Sequence, residues 1–204
     1  MNQARVLLCL CAASAGVASA STVVTIGETT AFPSPDFLAA FEGIQQGDPL
    51  TTYQEGGLKF TASGNAVLSQ GAGYFYSGGG DWDLYTVSAS DGSRLSAVEF
   101  EVVHGYVFPE AAYIRYELIR DGITVDVGVV IVDPGKLLGL ALAEGFDSVR
   151  VGAFASIQDA EEGTLFQALG MDNFAAVQFQ AVPAPAAAGL GALGLAGVAA
   201  RRRR

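Results

Sequence analysis

The residues best suited to chemistry are few and scattered. Gly78-Gly79-Gly80-Asp81-Trp82-Asp83 carries the only Trp of the chain between two acids, in a Gly-rich stretch that begins at Gly71, with Tyr74, Phe75 and Tyr76 close by. Sugars stack their C–H faces on aromatic rings and donate hydroxyl hydrogen bonds to carboxylates, so Asp81, Trp82 and Asp83 form a candidate glycan-binding loop. The competing reading is a connector whose Trp packs into the core. The run lacks the Asp/Asn-Gly continuation of an EF-hand loop and the Lys of a phosphate loop. His104 closes the run Glu99-Phe100-Glu101-Val102-Val103-His104 and is the only His. A single His excludes the paired-His motif of zinc proteases, and no Gly-x-Ser-x-Gly elbow accompanies it. Glycoside hydrolysis needs two carboxylates roughly 5–9.5 Å apart. With 21 acids in the chain some pair meets that spacing by chance, so spacing alone assigns none. Glu161-Glu162 lies in a polar stretch and reads as solvated. No catalytic residue is assigned.

The elements that must position these residues are strands. Tyr113–Arg120 and Ile123–Val130 alternate apolar and polar residues around Asp121-Gly122, the signature of a hairpin closed by a type I′ turn. A two-residue loop sets Leu118 opposite Val125, Tyr116 opposite Val127 and Ile114 opposite Val129, which makes one face wholly apolar. The other face then opposes Glu117 to Asp126, with Arg115 on the diagonal, a like-charge pair expected to be solvated. Further strands are expected at Thr22–Ile26, Phe37–Gly43, Gly57–Ala62, Asp83–Ser88, Leu95–Val103, Ser148–Phe154, Leu165–Gly170 and Asn173–Gln180, as β-branched or aromatic runs bounded by Gly, Asp or Ser. Lys136–Glu144 reads as a short helix or a strand-linking loop. About ten short strands with little helix predict an all-β fold, an antiparallel β-sandwich with a jelly roll favoured.

Length and charge bound the rest. The chain has 204 residues, is 50% hydrophobic and carries a net charge of −10. That is too apolar for disorder and sized for one domain. The negative balance argues against nucleic acid as a partner. Residues 1–20 read as a secretory signal peptide. Arg5 supplies the positive start, Val6 to Ala13 the short apolar run, and Ala18-Ser19-Ala20 the small-residue cleavage site before Ser21. Cys9 and Cys11 leave with it, so the mature chain has no disulfide. Residues 182–204 hold Val182-Pro183-Ala184-Pro185, a 15-residue Ala/Gly/Leu run from Ala186 to Ala200, and Arg201-Arg202-Arg203-Arg204. As a helix that run spans about 22 Å, short of a ~30 Å hydrocarbon core. The arginines would hold its end in the cytoplasm. A permanent span and a temporary anchor are both compatible with that layout. The body, 21–181, keeps all 21 acids but only Lys59, Arg94, Arg115, Arg120, Lys136 and Arg150, a net charge of −15.

A Pro motif, a short apolar helix and a terminal Arg cluster, in that order, resemble the PEP-CTERM family of sorting signals. Val182 to Ala186 is closest to the VPLPA-CTERM variant, with Ala184 where Leu is usual. The resemblance covers 23 residues of the 204. It implies a Gram-negative bacterium, export with the help of signal peptidase, a transient inner-membrane anchor, processing by an exosortase near the Pro motif, and a destination in exopolysaccharide or biofilm. The body is similar, by scattered short matches, to exported jelly rolls of the galactose- or carbohydrate-binding kind. Those matches are Phe41-Glu42-Gly43, Tyr53, Gly57-Leu58-Lys59-Phe60 and Met171-Asp172-Asn173-Phe174. That second resemblance implies Glu42 and Asp172 as ligands of a structural calcium ion, to be completed by carbonyls or water; the competing reading is two ordinary strand-end polar residues. The expected function is a non-catalytic surface or matrix protein that binds polysaccharide. The alternatives are a small secreted lyase or hydrolase acting on glycans, and a purely structural matrix protein.

Overall fold

The computed structural model describes residues 21–43, 50–63, 67–71, 74–78, 84–103, 112–164 and 166–181, with the backbone alone described at 67–71 and 74–78. Two antiparallel sheets pack face to face. The first, sheet A, contains β1 (Val23–Gly27), β2 (Phe37–Ala39), β5 (Val67–Gly71), β6 (Tyr74–Gly78), β8 (Leu95–Val103), β11 (Lys136–Phe146) and β14 (Gly170–Gln178). The second, sheet B, contains β3 (Thr52–Glu55), β4 (Leu58–Ala62), β7 (Tyr85–Ala89), β9 (Ala112–Arg120), β10 (Ile123–Val132), β12 (Ser148–Phe154) and β13 (Phe166–Gln167). The strand orders are β1-β11-β8-β14-β6-β5, with β2 also on β14, and β10-β9-β12-β7-β4-β3, with β13 also on β12. The antiparallel sandwich expected from the sequence is the architecture observed.

Alternation drives the packing. Leu58 and Phe60 of β4, Tyr85 and Val87 of β7, and Val149 and Val151 of β12 point inward and are fully buried or nearly so, while the residues between them stay partly exposed. Facing them are Val98 and Phe100 of β8, Leu138 and Leu140 of β11, and Phe174 of β14. The sheets are joined by ring contacts. Phe60 meets Phe174 edge-on at 5.4 Å between ring centres, and Phe174 stacks on Phe100 at 5.3 Å. The Tyr85 hydroxyl donates to the Leu169 carbonyl at 3.0 Å, so its polar tip is satisfied inside the core. Removing one such ring costs about 3–5 kcal/mol, since the cavity adds to the lost burial.

The hairpin forms as expected at its turn and differs beyond it. Asp121 and Gly122 both take left-handed backbone angles, φ 53° and 75°, as a type I′ turn requires. Between Thr124 and Asp126 the ladder slips, leaving Val125 as an extra residue. Tyr116 therefore faces Gly128, not Val127, Ile114 faces Val130, not Val129, and Leu118 faces Asp126, not Val125. The reason lies at Gly128, where a Cβ would stand 2.6 Å from the Tyr116 hydroxyl. The ring needs the bare glycine, and a glycine inside a strand marks such a close approach. Glu117 consequently faces Val127, and the expected opposition to Asp126 does not occur.

Other expectations are corrected. Lys136–Glu144 is neither helix nor loop but most of strand β11, whose Leu138, Leu140 and Leu142 are buried. Burial between two neighbouring strands overrides the helix preference of its Leu and Ala. The strand at Phe37–Gly43 stops at Ala39, and Phe41 is buried with φ 58°. Leu165–Gly170 shrinks to the two residues of β13, and β14 starts at Gly170, before the expected Asn173. Strands β3, β5 and β6 were not expected. Glu161 and Glu162 are exposed as expected, but on a helix, α1 (Ile157–Glu162). Ser156 caps it, its hydroxyl accepting from the Asp159 amide at 3.1 Å, and Gly163 ends it at φ 70°. Among the described residues no helix is long and apolar enough to cross a membrane.

Candidate functional site

Two groups of charged residues stand out, one on each sheet. On sheet A, β8 and β14 pair so that Glu101 lies directly opposite Asp172. The register then breaks between Asp172 and Ala175, with Asn173 at φ 50°, and Phe174 turns back into the core. Asp172 and Asn173 are left at the rim. The Asn173 amide N–H donates to Asp172 Oδ1 at 2.7 Å, and its side-chain nitrogen donates to Glu101 Oε2 at 3.4 Å. Glu55 approaches from β3. It accepts from the Tyr53 hydroxyl at 2.5 Å and from the Ala40 amide at 3.2 Å. Partial burial, and then the charges of Glu101, Glu42 and Glu55, hold the Asp172 carboxyl above its ordinary pKa, against the Asn173 amide, which lowers it. Burial and the Glu55 carboxylate likewise raise the Tyr53 phenol.

Glu42 and Asp172, paired by resemblance, thus come within reach of each other's charge, and Glu55 and Glu101 join them. None of the six ion pairs among the described residues involves any of these four. All-oxygen donors suit calcium. Among the described residues, however, no three acidic, His or Cys groups stand close enough together to hold a metal ion as they are. The chemistry of the donor set fits calcium, while the spacing does not form a closed shell.

Sheet B carries the opposite arrangement. Glu117 points outward from β9 yet is only 8% exposed, because two arginines close over it. Arg115 donates to one carboxylate oxygen at 2.8 Å and Arg150, from the adjoining β12, to the other at 2.9 Å. Arg115 also donates to the Ala160 and Glu161 carbonyls at the end of α1, which fastens that helix to the sheet. Past Arg150 the outer face continues as polar side chains. Thr86 faces Arg150 and Thr61 faces Thr86, while Ser88 lies between Ser148 and Lys59. All six are intermediate in exposure.

Two open grooves of about 380–390 Å³ lie elsewhere. One, on the outer side of sheet A, is lined by Val23, Phe32, Ala97, Ala141 and Leu142 and has no titratable side chain. The other, beside α1, holds Arg115 and Glu161, but that arginine is already donating to Glu117 and to main-chain carbonyls.

Several expected residues lie outside the described residues. They are Asp81, Trp82 and Asp83 of the glycan loop, His104, Ala20 of the cleavage site, Val182 to Pro185 of the Pro motif, and Arg201 to Arg204. Ser21 is described and exposed. Sequence reasoning missed Glu55 and Glu101 as neighbours of Asp172, and the Arg115–Glu117–Arg150 clamp. Arg115 and Glu117 share a face by their two-residue spacing, but Arg150 joins them only through the β9–β12 pairing. Comparison with protein-family models, with curated proteins and with solved structures finds no match to this chain.

Proposed function

We propose that this is an exported, non-catalytic protein of a bacterial cell surface or extracellular matrix, whose β-sandwich body binds polysaccharide. The observation that carries this reading is the three-part C-terminus, Val182 to Arg204, paired with an N-terminal signal. Signal peptidase removes 1–20, the apolar run holds the chain briefly in the inner membrane, and an exosortase acts near Pro183–Pro185. We read the sandwich as a jelly-roll variant, because after β7 the chain alternates between sheets at β8, β9, β11, β12 and β14. A structural calcium ion at the Glu42/Asp172 rim belongs to the same proposal. Intact mass spectrometry of the protein recovered from its producer's matrix tests the export reading. The expected species begins at Ser21 and lacks Arg201–Arg204, and a full-length chain in the matrix would overturn it.

A further inference from the structure

We infer that the polar half of the outer face of sheet B, from β4 to β12, is a docking surface for an anionic polysaccharide; this rests on the polysaccharide-binding reading and gives it a place and a charge class. Register lays Thr61, Thr86 and Arg150 in one line across β4, β7 and β12, with Lys59, Ser88 and Ser148 in the next line. Neighbours within a line are about 4.8 Å apart, and the two lines are about 7 Å apart along the strands. The result is a lattice of hydroxyls with a cation in each line. Of the acids that border it, Glu117 is already held by Arg115 and Arg150 and Asp147 by Arg94, while Glu161 and Glu162 lie on α1, beyond Arg115. Among the described residues Lys59 enters no ion pair, and Arg150 spends a single N–H on Glu117.

Charge decides the class of ligand. The body as a whole carries −15, which opposes any polyanion, but three of its six basic residues, Lys59, Arg115 and Arg150, lie on this one face. Across the sandwich, Glu101 and Asp172 occupy the outer side of sheet A without a cationic partner among the described residues. A polymer with a carboxylate on each sugar can set carboxylates on Lys59 and Arg150 while its hydroxyls meet the Thr and Ser rows. Salt screens interactions between exposed charges over about 8 Å at physiological ionic strength, and stacked sheets lie about 10 Å apart. The acids of sheet A therefore repel the polymer from their own side without cancelling attraction on the other.

The test is affinity electrophoresis of the full chain through gels containing a sodium polyuronate or dextran, a neutral glucan, without calcium at about 0.15 M salt. The expected result is retardation by polyuronate and none by dextran. Lys59→Glu and Ser88→Glu should each weaken polyuronate binding by roughly fivefold or more with an unchanged melting temperature. Glu101→Gln should leave binding unchanged. Equal retardation by both polymers, or folded Lys59 and Ser88 variants that bind like the parent, would overturn the site. If the parent binds other polysaccharides of a wider panel regardless of these substitutions, this inference fails and the broader reading stands. If it binds none, including those of its own producer, both fail.

Discussion

The outer faces of the two sheets treat buried charge in opposite ways. On sheet B, Glu117 is almost covered, and a guanidinium meets each of its carboxylate oxygens. On sheet A, Asp172 is also drawn in from water but faces Glu101, with Glu42 and Glu55 nearby and no cation among the described residues. The first arrangement neutralises itself inside the protein. The second leaves negative charge concentrated at a rim, where only protons, salt or an added cation can offset it. A chain with 21 acids and six body cations cannot pair every carboxylate. Where it places its cations therefore decides which face can meet an anionic ligand and which can take only a cation.

The two faces should differ most at Glu117. Glu117→Gln leaves two partly buried guanidiniums uncompensated and is expected to lower stability by about 2–4 kcal/mol, toward the lower end because both arginines keep some solvent. The matching change on sheet A, Glu101→Gln, removes a like-charge opposition and should be neutral or slightly stabilising. Urea denaturation of both variants checks this, and equal losses would erase the distinction between the faces.

A smaller effect sharpens the other side. If the rim of sheet A holds calcium, the ion stabilises the fold by about 2.7 kcal/mol when its concentration is a hundred times the dissociation constant. Melting should then shift upward with calcium and return with EDTA, and Asp172→Asn should abolish the shift. An unchanged midpoint in the parent protein would count against the ion. Without calcium the same substitution should stabilise by about 0.2–1 kcal/mol, the cost of like charges set opposite each other. Its pH dependence has a definite sign. The folded-state pKa of Asp172 is raised, so protonation favours the folded state. Its contribution is fully favourable below the ordinary carboxylate value and is lost as pH rises through the folded value. Asp172→Asn should remove that part of the acid-side profile.

Local patterns in the sequence reached as far as local physics does. Leu95–Val103 and Ser148–Phe154 are strands with the expected bounds, because each alternates β-branched or aromatic residues between clear breakers. The Asp121-Gly122 turn was legible for the same reason. What failed depends on partners distant in sequence. Strand β11 read as a short helix or a linking loop because Leu-Gly-Leu-Ala-Leu-Ala has no β-branched residue, and only pairing with β1 and β8 makes it a strand. The slip at Val125 follows from the Tyr116 ring lying over Gly128. The acidic rim was half visible. Glu42 and Asp172 came from the resemblance, but Glu101 reaches Asp172 only through the long-range β8–β14 pairing, which ends in a bulge. The polar lattice on sheet B could be read strand by strand, as Lys59-x-Thr61 and Thr86-x-Ser88, but the order β12-β7-β4 that aligns it could not.

The cation-bearing face of sheet B should meet the polysaccharide, and the acidic face of sheet A should not. Amide and side-chain chemical shifts of the isotope-labelled protein, followed by NMR during titration with a sodium polyuronate oligosaccharide, test it most directly. Shifts should concentrate at Lys59, Thr61, Thr86, Ser88 and Arg150, leaving Glu101, Asp172 and strand β1 unmoved. Shifts centred on sheet A, or spread evenly over both faces, would contradict it.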